Sequence, residues 1–300
     1  MRISFLCNDV YTYSNTGWSP TDVRLSGTER GIVEWAEELA SRNHKVIVFL
    51  NPNQNTPPSH NGVVYASRVL YQGGGDVCIN IKSPDVEPIE PTIFYTNDVD
   101  ADKQDLSKYD AVIHISEWAK NNIPVNNDKV FVVPHGYDET KIYPDTKIPK
   151  QCIYTSSPDR GLNTLLRAWV EVAQVHPDAT LKVTYGAEPM YIPNVEFLGE
   201  LSEDEMNQLY RESDVWCHPA SGGELQCIAG LKAQAAGCWP VIIPTMALRE
   251  TVKYGTFSNE QDYAQSLIDA LNRHPEKSHK GVTIRESTDK LFEIIQTMVK

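Results

Sequence analysis

The chain has 300 residues, 41% of them hydrophobic, and a formal net charge of −13. That length is too great for one small core and suits two domains of ordinary size. The acidic charge argues against nucleic acid as a partner, because such binding needs lysine and arginine side chains that displace counterions. No polybasic cluster supports contact with an anionic membrane surface, and no run approaches the ~20 apolar residues of a membrane span. We therefore expect a cytoplasmic globular protein.

The use of cysteine agrees with a reducing compartment. The six cysteines form no C-x-x-C pair and no spacing typical of metal ligands. We therefore expect buried free thiols and no bound metal. These cysteines are Cys7, Cys78, Cys152, Cys217, Cys227 and Cys238.

Short apolar runs alternate with helix-like segments along the first half of the chain. Such runs are expected for strands that are covered on both faces of a sheet. The predicted strands are Ile3–Cys7, Val46–Leu50, Val63–Ala66, Val77–Ile81, Thr92–Tyr95, Ala111–Ile115 and Val130–Val133. The clearest helix is Thr28–Arg42, and the capping-box pair Ser26 and Glu29 predicts that it starts at Gly27 or Thr28.

The second half of the chain repeats this alternation of strands and helices. Its predicted strands are Ile153–Ser156, Leu181–Tyr185, Val195–Leu198, Val215–His218 and Val241–Ile243. Its predicted helices are Leu162–Val175, a helix that ends at Glu212 after a capping box, Glu224–Ala236, Asp262–Arg273 and Asp289–Val299.

Strands that alternate with helices predict parallel sheets and an α/β fold. We expect two doubly wound, Rossmann-like domains, residues 1–145 and 146–300, whose sheets face a cleft. The last helix can pack back on the first domain. The segment between Pro134 and Gln151 separates the domains, because it is rich in Pro, Asp, Lys and Tyr and lacks a periodic apolar face. In such sheets, ligands bind beyond the carboxyl ends of the strands.

Three loops beyond predicted strands carry candidate ligand-binding groups. The polar turn Ser221–Gly223 runs into a predicted helix, whose free N–H groups and dipole suit a phosphate. Arg160, in the loop after another strand, offers a guanidinium for a bidentate phosphate contact; the alternative is a solvated loop arginine. Gly27 opens the first helix, where the alternative is an ordinary helix cap.

Four segments of the chain together resemble retaining glycosyltransferase family 4, whose members have the GT-B fold. Gly27–Arg30 with Ala36–Val46 resembles the family's glycine loop, first helix and second strand, and Val133–Asp138 resembles its hinge segment. Ser156–Leu162 resembles a version of its Lys-Gly-Leu loop, and Glu224–Val241 resembles its paired-glutamate motif. The resemblance spans roughly the whole chain and is strongest over residues 150–255.

This resemblance implies transfer of a hexose from a UDP- or GDP-sugar, held by the second domain, to an acceptor hydroxyl of a glycan or glycolipid on the first domain. It implies no cofactor and no metal. Arg160 and the N–H groups after Glu224 would hold the diphosphate, and Glu224 would bind the sugar hydroxyls. The donor-binding residues implied by position are Gly27, Ser156, Arg160, Gly223, Glu224, Gln226, Cys227, Ile228, Lys232 and Glu250.

Lys232 is the first departure from the family pattern. It stands eight residues after Glu224, where the family has a second glutamate that holds the ribose. Eight residues of helix rise about 12 Å. Since lysine donates hydrogen bonds but does not accept them, the ribose contact would change, or Lys232 would approach the phosphates. The alternative is that Lys232 points to solvent, and Glu250 is a second candidate for the ribose contact.

The other departures concern the predicted catalytic residues, which are Arg160, Glu224 and Asp98. Asn97 stands where the family has a histidine near the reacting sugar. Asp98 follows it and can accept a proton or a sugar hydroxyl; the alternative is that it caps the next helix. Thr155 stands where many relatives have an arginine.

Three histidines are not among these candidate site residues. His135 replaces the family's hinge asparagine. His114 and His218 lie in apolar strands, where we expect core or cleft-lining residues and not ligands.

Two other functions are weighed against glycosyl transfer to a glycan or glycolipid. Lys232, Asn97 and Thr155 motivate a nucleotide-sugar-binding protein whose catalysis has decayed. A glycosyltransferase that acts on hydroxylated DNA bases is the other, and the charge of −13 argues against it.

Overall fold

The computed structural model of the chain describes residues 1–7, 17–23, 25–186, 189–272 and 275–299. These residues form two compact units. The first unit comprises Met1–Gly136 and Val282–Lys300, and the second comprises Tyr137–Gly281. Each unit is built around its own sheet.

The first unit contains an eight-stranded sheet. Its strands are β1 (Arg2–Cys7), β2 (Lys45–Leu50), β3 (Ser59–His60), β4 (Val63–Ser67), β5 (Val77–Ile81), β6 (Thr92–Thr96), β7 (Ala111–His114) and β8 (Val130–Val132). The strand order is β3-β4-β2-β1-β5-β6-β7-β8, and every pair is parallel except β3 with β4. The chain therefore leaves β1 in one direction and returns to the other side of it at β5.

Helix α1 (Gly27–Ser41) lies between β1 and β2 along the chain, and helix α2 (Glu117–Asn122) lies between β7 and β8. The predicted capping box at the start of α1 is confirmed: the Ser26 side chain accepts from the Glu29 N–H, and the Glu29 carboxylate accepts from the Ser26 N–H. The apolar stripe of α1 is buried, and its Trp35 side chain is fully buried. Burial of that stripe supplies most of the helix's stability.

The second unit contains a six-stranded, fully parallel sheet. Its strands are β9 (Ile148–Tyr154), β10 (Thr180–Thr184), β11 (Val195–Gly199), β12 (Ser213–His218), β13 (Trp239–Ile242) and β14 (Thr256–Phe257). Its helices are α3 (Leu162–Val175), α4 (Glu203–Glu212), α5 (Ile228–Ala236), α6 (Leu248–Thr251) and α7 (Tyr263–Asn272). The strand order is β11-β10-β9-β12-β13-β14. The chain reverses its direction of travel between β9 and β12, which are hydrogen-bonded neighbours.

The last helix, α8 (Ile284–Met298), belongs to the first unit and contacts α1 there. The Trp35 indole N–H donates to the Ser287 hydroxyl over 2.7 Å, and that hydroxyl donates to the Pro134 carbonyl. Gly136 makes the approach to α8 possible, since a Cβ on it would lie 2.2 Å from the Thr283 carbonyl carbon.

Two predicted helices differ from the observed ones by more than one residue at their start. The helix predicted over Glu224–Ala236 begins only at Ile228, because the preceding residues form hydrogen bonds to other loops. The helix predicted over Asp289–Val299 begins at Ile284, where Thr283 and Glu286 form a capping box that the sequence analysis missed.

Two parallel sheets flanked by helices confirm the predicted α/β fold class with two doubly wound halves. Among the helices formed by the described residues, not one has both the length and the apolar character needed to cross a bilayer.

Candidate functional site

The candidate site lies at the point of the second sheet where the order of strand addition reverses, between β9 and β12. Ligands of open α/β sheets bind beyond the carboxyl ends of the strands at this kind of point. Two loops leave these ends, residues 155–161 after β9 and residues 219–227 after β12. They carry most of the donor-binding residues predicted from the sequence.

The loop after β9 is tied closely to the loop after β12. It contains a single 3-10 turn, Pro158–Arg160, which ends at Gly161 with a φ of 104°. A Cβ on Gly161 would lie 1.9 Å from the Pro219 carbonyl oxygen, so only glycine fits this approach. The Ser221 hydroxyl also donates to the Asp159 carbonyl over 2.9 Å. These contacts hold the Arg160 turn against the end of β12.

Arg160 makes direct contact with the predicted glycine turn. Its Nη1 donates to the Gly223 carbonyl over 2.6 Å and lies 3.6 Å from Oε1 of Glu224. The Arg160 side chain is 36% exposed, whereas that of Glu224 is 11% exposed. A guanidinium has five N–H donors, so most of the Arg160 donors are available to a ligand.

The bend before α5 is open to solvent. Ser221 and Gly222 are exposed, and Gly222 has a φ of 144° with no atom within 4 Å of a Cβ placed on it. Glu224 lies in this bend and not in the helix, and its carbonyl accepts from the Ala247 N–H. Helix α5 starts four residues later, at Ile228, and no side-chain hydrogen bond caps its first turn. Its N–H groups and dipole are therefore available to an anion.

His218, the last residue of β12, approaches Glu224 from inside the unit. The His218 ring is fully buried, and its Nε2 lies 3.3 Å from Oε1 of Glu224. The apolar strand around His218 predicts a residue of the core or of the lining of a cleft, and this contact with Glu224 was not predicted. Its place at the carboxyl end of a strand, directly before Pro219, is the signal that points to the site.

Three side chains here have the donor atoms of a metal site. His218, Glu224 and Cys227 each offer one ligand atom, and these atoms all lie within 4.8 Å of one another. Burial raises the pKa of the Cys227 thiol well above its usual value, and the nearby Glu224 charge raises it further. Because the thiolate is the form that ligates metals, a metal bound here would have to displace the thiol proton.

Thr155 has a structural role in this unit. Its buried hydroxyl accepts two hydrogen bonds, from the Tyr210 hydroxyl over 2.7 Å and from the Trp216 indole N–H over 3.0 Å. The position where the family resemblance implies an arginine is thus occupied by a side chain that holds two buried aromatic residues in place.

The remaining predicted donor residues of this unit lie around the same bend and on the elements after it. Lys232, on α5, is half-buried and forms no hydrogen bond or ion pair with another described residue. Glu250 is half-buried on α6. The other half-buried members of the predicted set are Ser156, Gly223, Gln226 and Ile228.

The first unit has a hollow at the corresponding point of its sheet, beside the ends of β1 and β5. Its lining residues are Cys7, Trp18, Ser26, Thr28, Glu29, Ile32, Ile81 and Lys82. Gly27, which is exposed, opens α1 between two of them. Burial lowers the pKa of Lys82, and the charges of Asp98 and Glu29 oppose this shift. The hollow is thus lined by apolar side chains together with one acidic residue, Glu29, and one basic residue, Lys82.

Asp98 and Asn97 lie beside this hollow. The Asn97 amide donates to the Thr28 hydroxyl over 2.5 Å. Oδ1 of Asp98 accepts from the Asp100 N–H over 3.1 Å, next to the short 3-10 turn Ala101–Lys103. Asp98 is half-buried and interacts electrostatically with Lys82.

His135 and His114 are core residues of the first unit. The His135 ring is fully buried beside the Trp35 ring, and its Nε2 lies 3.0 Å from the Tyr95 hydroxyl. A Cβ on Gly31 would come within 2.3 Å of the His135 ring, which explains the glycine in α1. His114 is buried at the end of β7.

Known proteins resemble this chain in part of its sequence and in its overall fold. No curated protein matches the sequence. Residues 150–274 match the model of the family described as Glycosyl transferases group 1. These residues contain all the elements from α3 to α7, and they include both loops of the candidate site.

Several solved structures are similar to the whole chain. HepE of Anabaena in complex with UDP-glucose shares 15% identity over 100% of this chain and 97% of its own, with a TM-score of 0.68. WaaG, a glycosyltransferase involved in lipopolysaccharide biosynthesis, shares 13% identity over 99% of this chain and 95% of its own, with a TM-score of 0.68. AviGT4, a glycosyltransferase involved in avilamycin A biosynthesis, shares 12% identity over 99% and 98%, with a TM-score of 0.67.

Similarity at these identities concerns the fold, while the family match concerns the sequence of the second unit. Residues 150–274 of the second unit thus match the model of the family Glycosyl transferases group 1, and the chain as a whole has the GT-B glycosyltransferase fold.

Proposed function

We propose that the protein is a retaining glycosyltransferase that moves a sugar from a nucleotide-diphosphate sugar to a hydroxyl group of a glycan or glycolipid. One observation carries the proposal: Arg160, Glu224 and the uncapped start of α5 converge where the second sheet reverses direction. This group of residues offers positive charge, a hydrogen-bond acceptor and an anion-binding helix end in one place.

The diphosphate of the donor binds Arg160 and the first N–H groups of α5 in this proposal. Breaking the sugar–phosphate bond leaves growing negative charge on the diphosphate. Donors that are already in position stabilise that charge most strongly in the transition state, which accelerates the reaction. The bond from Arg160 to the Gly223 carbonyl holds the guanidinium in position before the donor arrives.

Glu224 binds hydroxyl groups of the donor sugar. A carboxylate only accepts hydrogen bonds, and sugar hydroxyls are good donors. The acceptor binds the first unit, where Asp98 accepts a hydrogen bond from its hydroxyl. The acceptor attacks on the face that the diphosphate leaves, and the diphosphate itself helps to remove the proton. The product then keeps the anomeric configuration of the donor.

We propose that the reaction uses no resident metal and takes place in the cytoplasm. A metal held by His218, Glu224 and Cys227 would first have to displace the thiol proton, whereas Arg160 and the N–H groups of α5 supply positive charge to the diphosphate without a metal. All six cysteines are free and buried, which suits a reducing compartment.

A donor screen tests the proposed function. The full chain is incubated with UDP-, GDP- and ADP-sugars and a panel of oligosaccharide and glycolipid acceptors, and the products are identified by mass spectrometry. We expect transfer, or slow hydrolysis, of one nucleotide sugar, and NMR of the product should show a retained anomer. Thermal stabilisation by a nucleotide sugar without any turnover would instead indicate a binding protein.

A further inference from the structure

His218 is held rigidly inside the second unit. Its ring stacks on the Trp216 ring, with centroids 4.9 Å apart and an interplanar angle of 14°. The Tyr154 ring of the neighbouring strand also lies parallel to it, at 6.4 Å and 30°. Because the ring is fully buried between packed aromatic neighbours, its orientation is set by the core.

The surroundings of the two ring nitrogens select one tautomer of His218. Nε2 lies 3.3 Å from Oε1 of Glu224, and a carboxylate only accepts, so Nε2 carries the hydrogen. Nδ1 is buried and has no partner among the described residues. In this tautomer Nδ1 is a bare acceptor, so no N–H donor is left unpaired in the core.

This contact divides the two oxygens of Glu224 between different tasks. Oε1 receives the His218 N–H and lies 3.6 Å from Nη1 of Arg160. The hydrogen bond from His218 ends on Oε1, and no hydrogen bond from another described residue ends on Oε2. The Glu224 side chain keeps 11% of its surface exposed, so Oε2 is the oxygen left for a ligand.

We propose that His218 is a positioning residue for sugar recognition: it holds Oε1 of Glu224 so that Oε2 faces a hydroxyl of the donor sugar. This inference rests on the proposed function of the site. The nucleotide diphosphate binds Arg160 and α5, so loss of the His218 contact should affect the sugar part of the donor and spare the nucleotide part.

Two substitutions separate the hydrogen bond from the packing. His218→Phe keeps a planar ring for stacking on Trp216 but removes the donor. His218→Gln restores an N–H donor near the position of Nε2 and is the conservative variant. Melting temperatures of both variants show whether the second unit still folds.

The readout is the difference between two affinities, measured by calorimetry with UDP and UDP-glucose and, in parallel, with GDP and GDP-mannose. We expect His218→Phe to bind the nucleotide diphosphate like the wild type and to lose roughly tenfold or more in affinity for the nucleotide sugar and in kcat/KM. His218→Gln should recover part of this loss. Equal weakening of both ligands, or no change in either, would overturn the positioning role.

A double-mutant cycle with Glu224→Gln keeps the inference testable if His218→Phe is unstable. If His218 acts through Glu224, His218→Gln should change sugar affinity much less in the Glu224→Gln background than in the wild type. Additive losses would overturn the inference. Failure of the proposed function itself is distinguishable, because the wild-type protein would then bind none of these nucleotides and transfer no sugar.

Discussion

Nη1 of Arg160 lies 3.6 Å from Oε1 of Glu224, although the two residues belong to different loops of the second unit. The same Nη1 donates to the Gly223 carbonyl, so the arginine contacts both the backbone and the side chain of the opposite loop. In the proposed function Arg160 binds the diphosphate and Glu224 binds the sugar, so both side chains are positioned before the donor binds. Such preorganisation removes a cost that a flexible site would meet during the reaction.

Arg160→Ala should reduce kcat by about two powers of ten, because a charged transition-state contact is lost. The kcat of Arg160→Lys should lie between those of Arg160→Ala and the wild type, since lysine keeps the charge but lacks the planar guanidinium. Steady-state kinetics with the donor found in the screen provide the measurement. Arg167→Ala is the control, because Arg167 is exposed on α3 away from the site loops. A rate within about twofold of the wild type for Arg160→Ala would reject the assigned role.

Thr155→Val should destabilise the second unit by about 2 to 4 kcal/mol, because it leaves the Tyr210 hydroxyl and the Trp216 indole N–H buried without an acceptor. Thr155→Ser keeps the hydroxyl and should cost about 1 kcal/mol or less. Urea unfolding followed by tryptophan fluorescence measures both. Equal stabilities of the two variants would contradict the structural role of this hydroxyl.

Gly161→Ala should lower both stability and activity, because the new Cβ would lie 1.9 Å from the Pro219 carbonyl oxygen. Gly199→Ala is the matched control: Gly199 also has a positive φ, 68°, but has no atom within 4 Å of a Cβ. Strain from φ alone should cost about 1 kcal/mol in the control. Gly161→Ala should cost at least ~2 kcal/mol more and reduce kcat about tenfold, since the Arg160 turn must move. Similar stability and activity of the two variants would show that the turn tolerates displacement.

Acid should destabilise the protein partly through His135. Burial lowers the pKa of His135 to about 3, and the Lys82 charge adds to the effect. In the unfolded chain a histidine titrates near pH ~6.5. The unfolded state therefore binds the proton first as the pH falls. Stability from this group is complete above about pH 6.5 and is lost towards pH 3, at up to about 1.4 kcal/mol per pH unit.

His135→Asn tests this linkage, because asparagine does not titrate. The free energy of unfolding, measured by urea titration from pH 7 to pH 4, should fall less steeply for the variant, by about one bound proton. Tyr95→Phe is the control: it removes the hydroxyl that contacts Nε2 but leaves the histidine, so it should lower stability and keep the slope. The same slope in His135→Asn and the wild type would contradict a buried neutral His135.

Removal of metal should leave the activity unchanged. Incubation with excess EDTA, followed by assay in metal-free buffer, should preserve kcat within about twofold, since positioned N–H donors and Arg160 carry the charge stabilisation. Elemental analysis of the purified protein should show no stoichiometric zinc. Loss of activity that zinc restores would instead assign His218, Glu224 and Cys227 as a metal centre.

Local patterns predicted most of the regular structure. Helix α3 was predicted with the observed bounds, Leu162–Val175, because its apolar stripe and the proline after it depend only on neighbouring residues. The capping boxes of α1 and α4 were predicted for the same reason. The prediction that α5 starts at Glu224 was wrong, because contacts to Arg160 and Ala247 hold the residues before Ile228 in a loop. Sequence neighbours contain no information on such contacts.

The fold class and the loops that carry the candidate site follow from local sequence patterns alone. Alternating apolar strands and amphipathic helices require parallel sheets, and polar glycine turns after strands mark where a ligand can reach the backbone. Which side chains contact one another, in contrast, depends on the packing of the folded chain. His218 reaches Glu224, and Thr155 reaches Tyr210 and Trp216, through packing between separate strands and loops. Distances of this kind depend on how elements far apart in sequence pack together, which residue spacing does not encode.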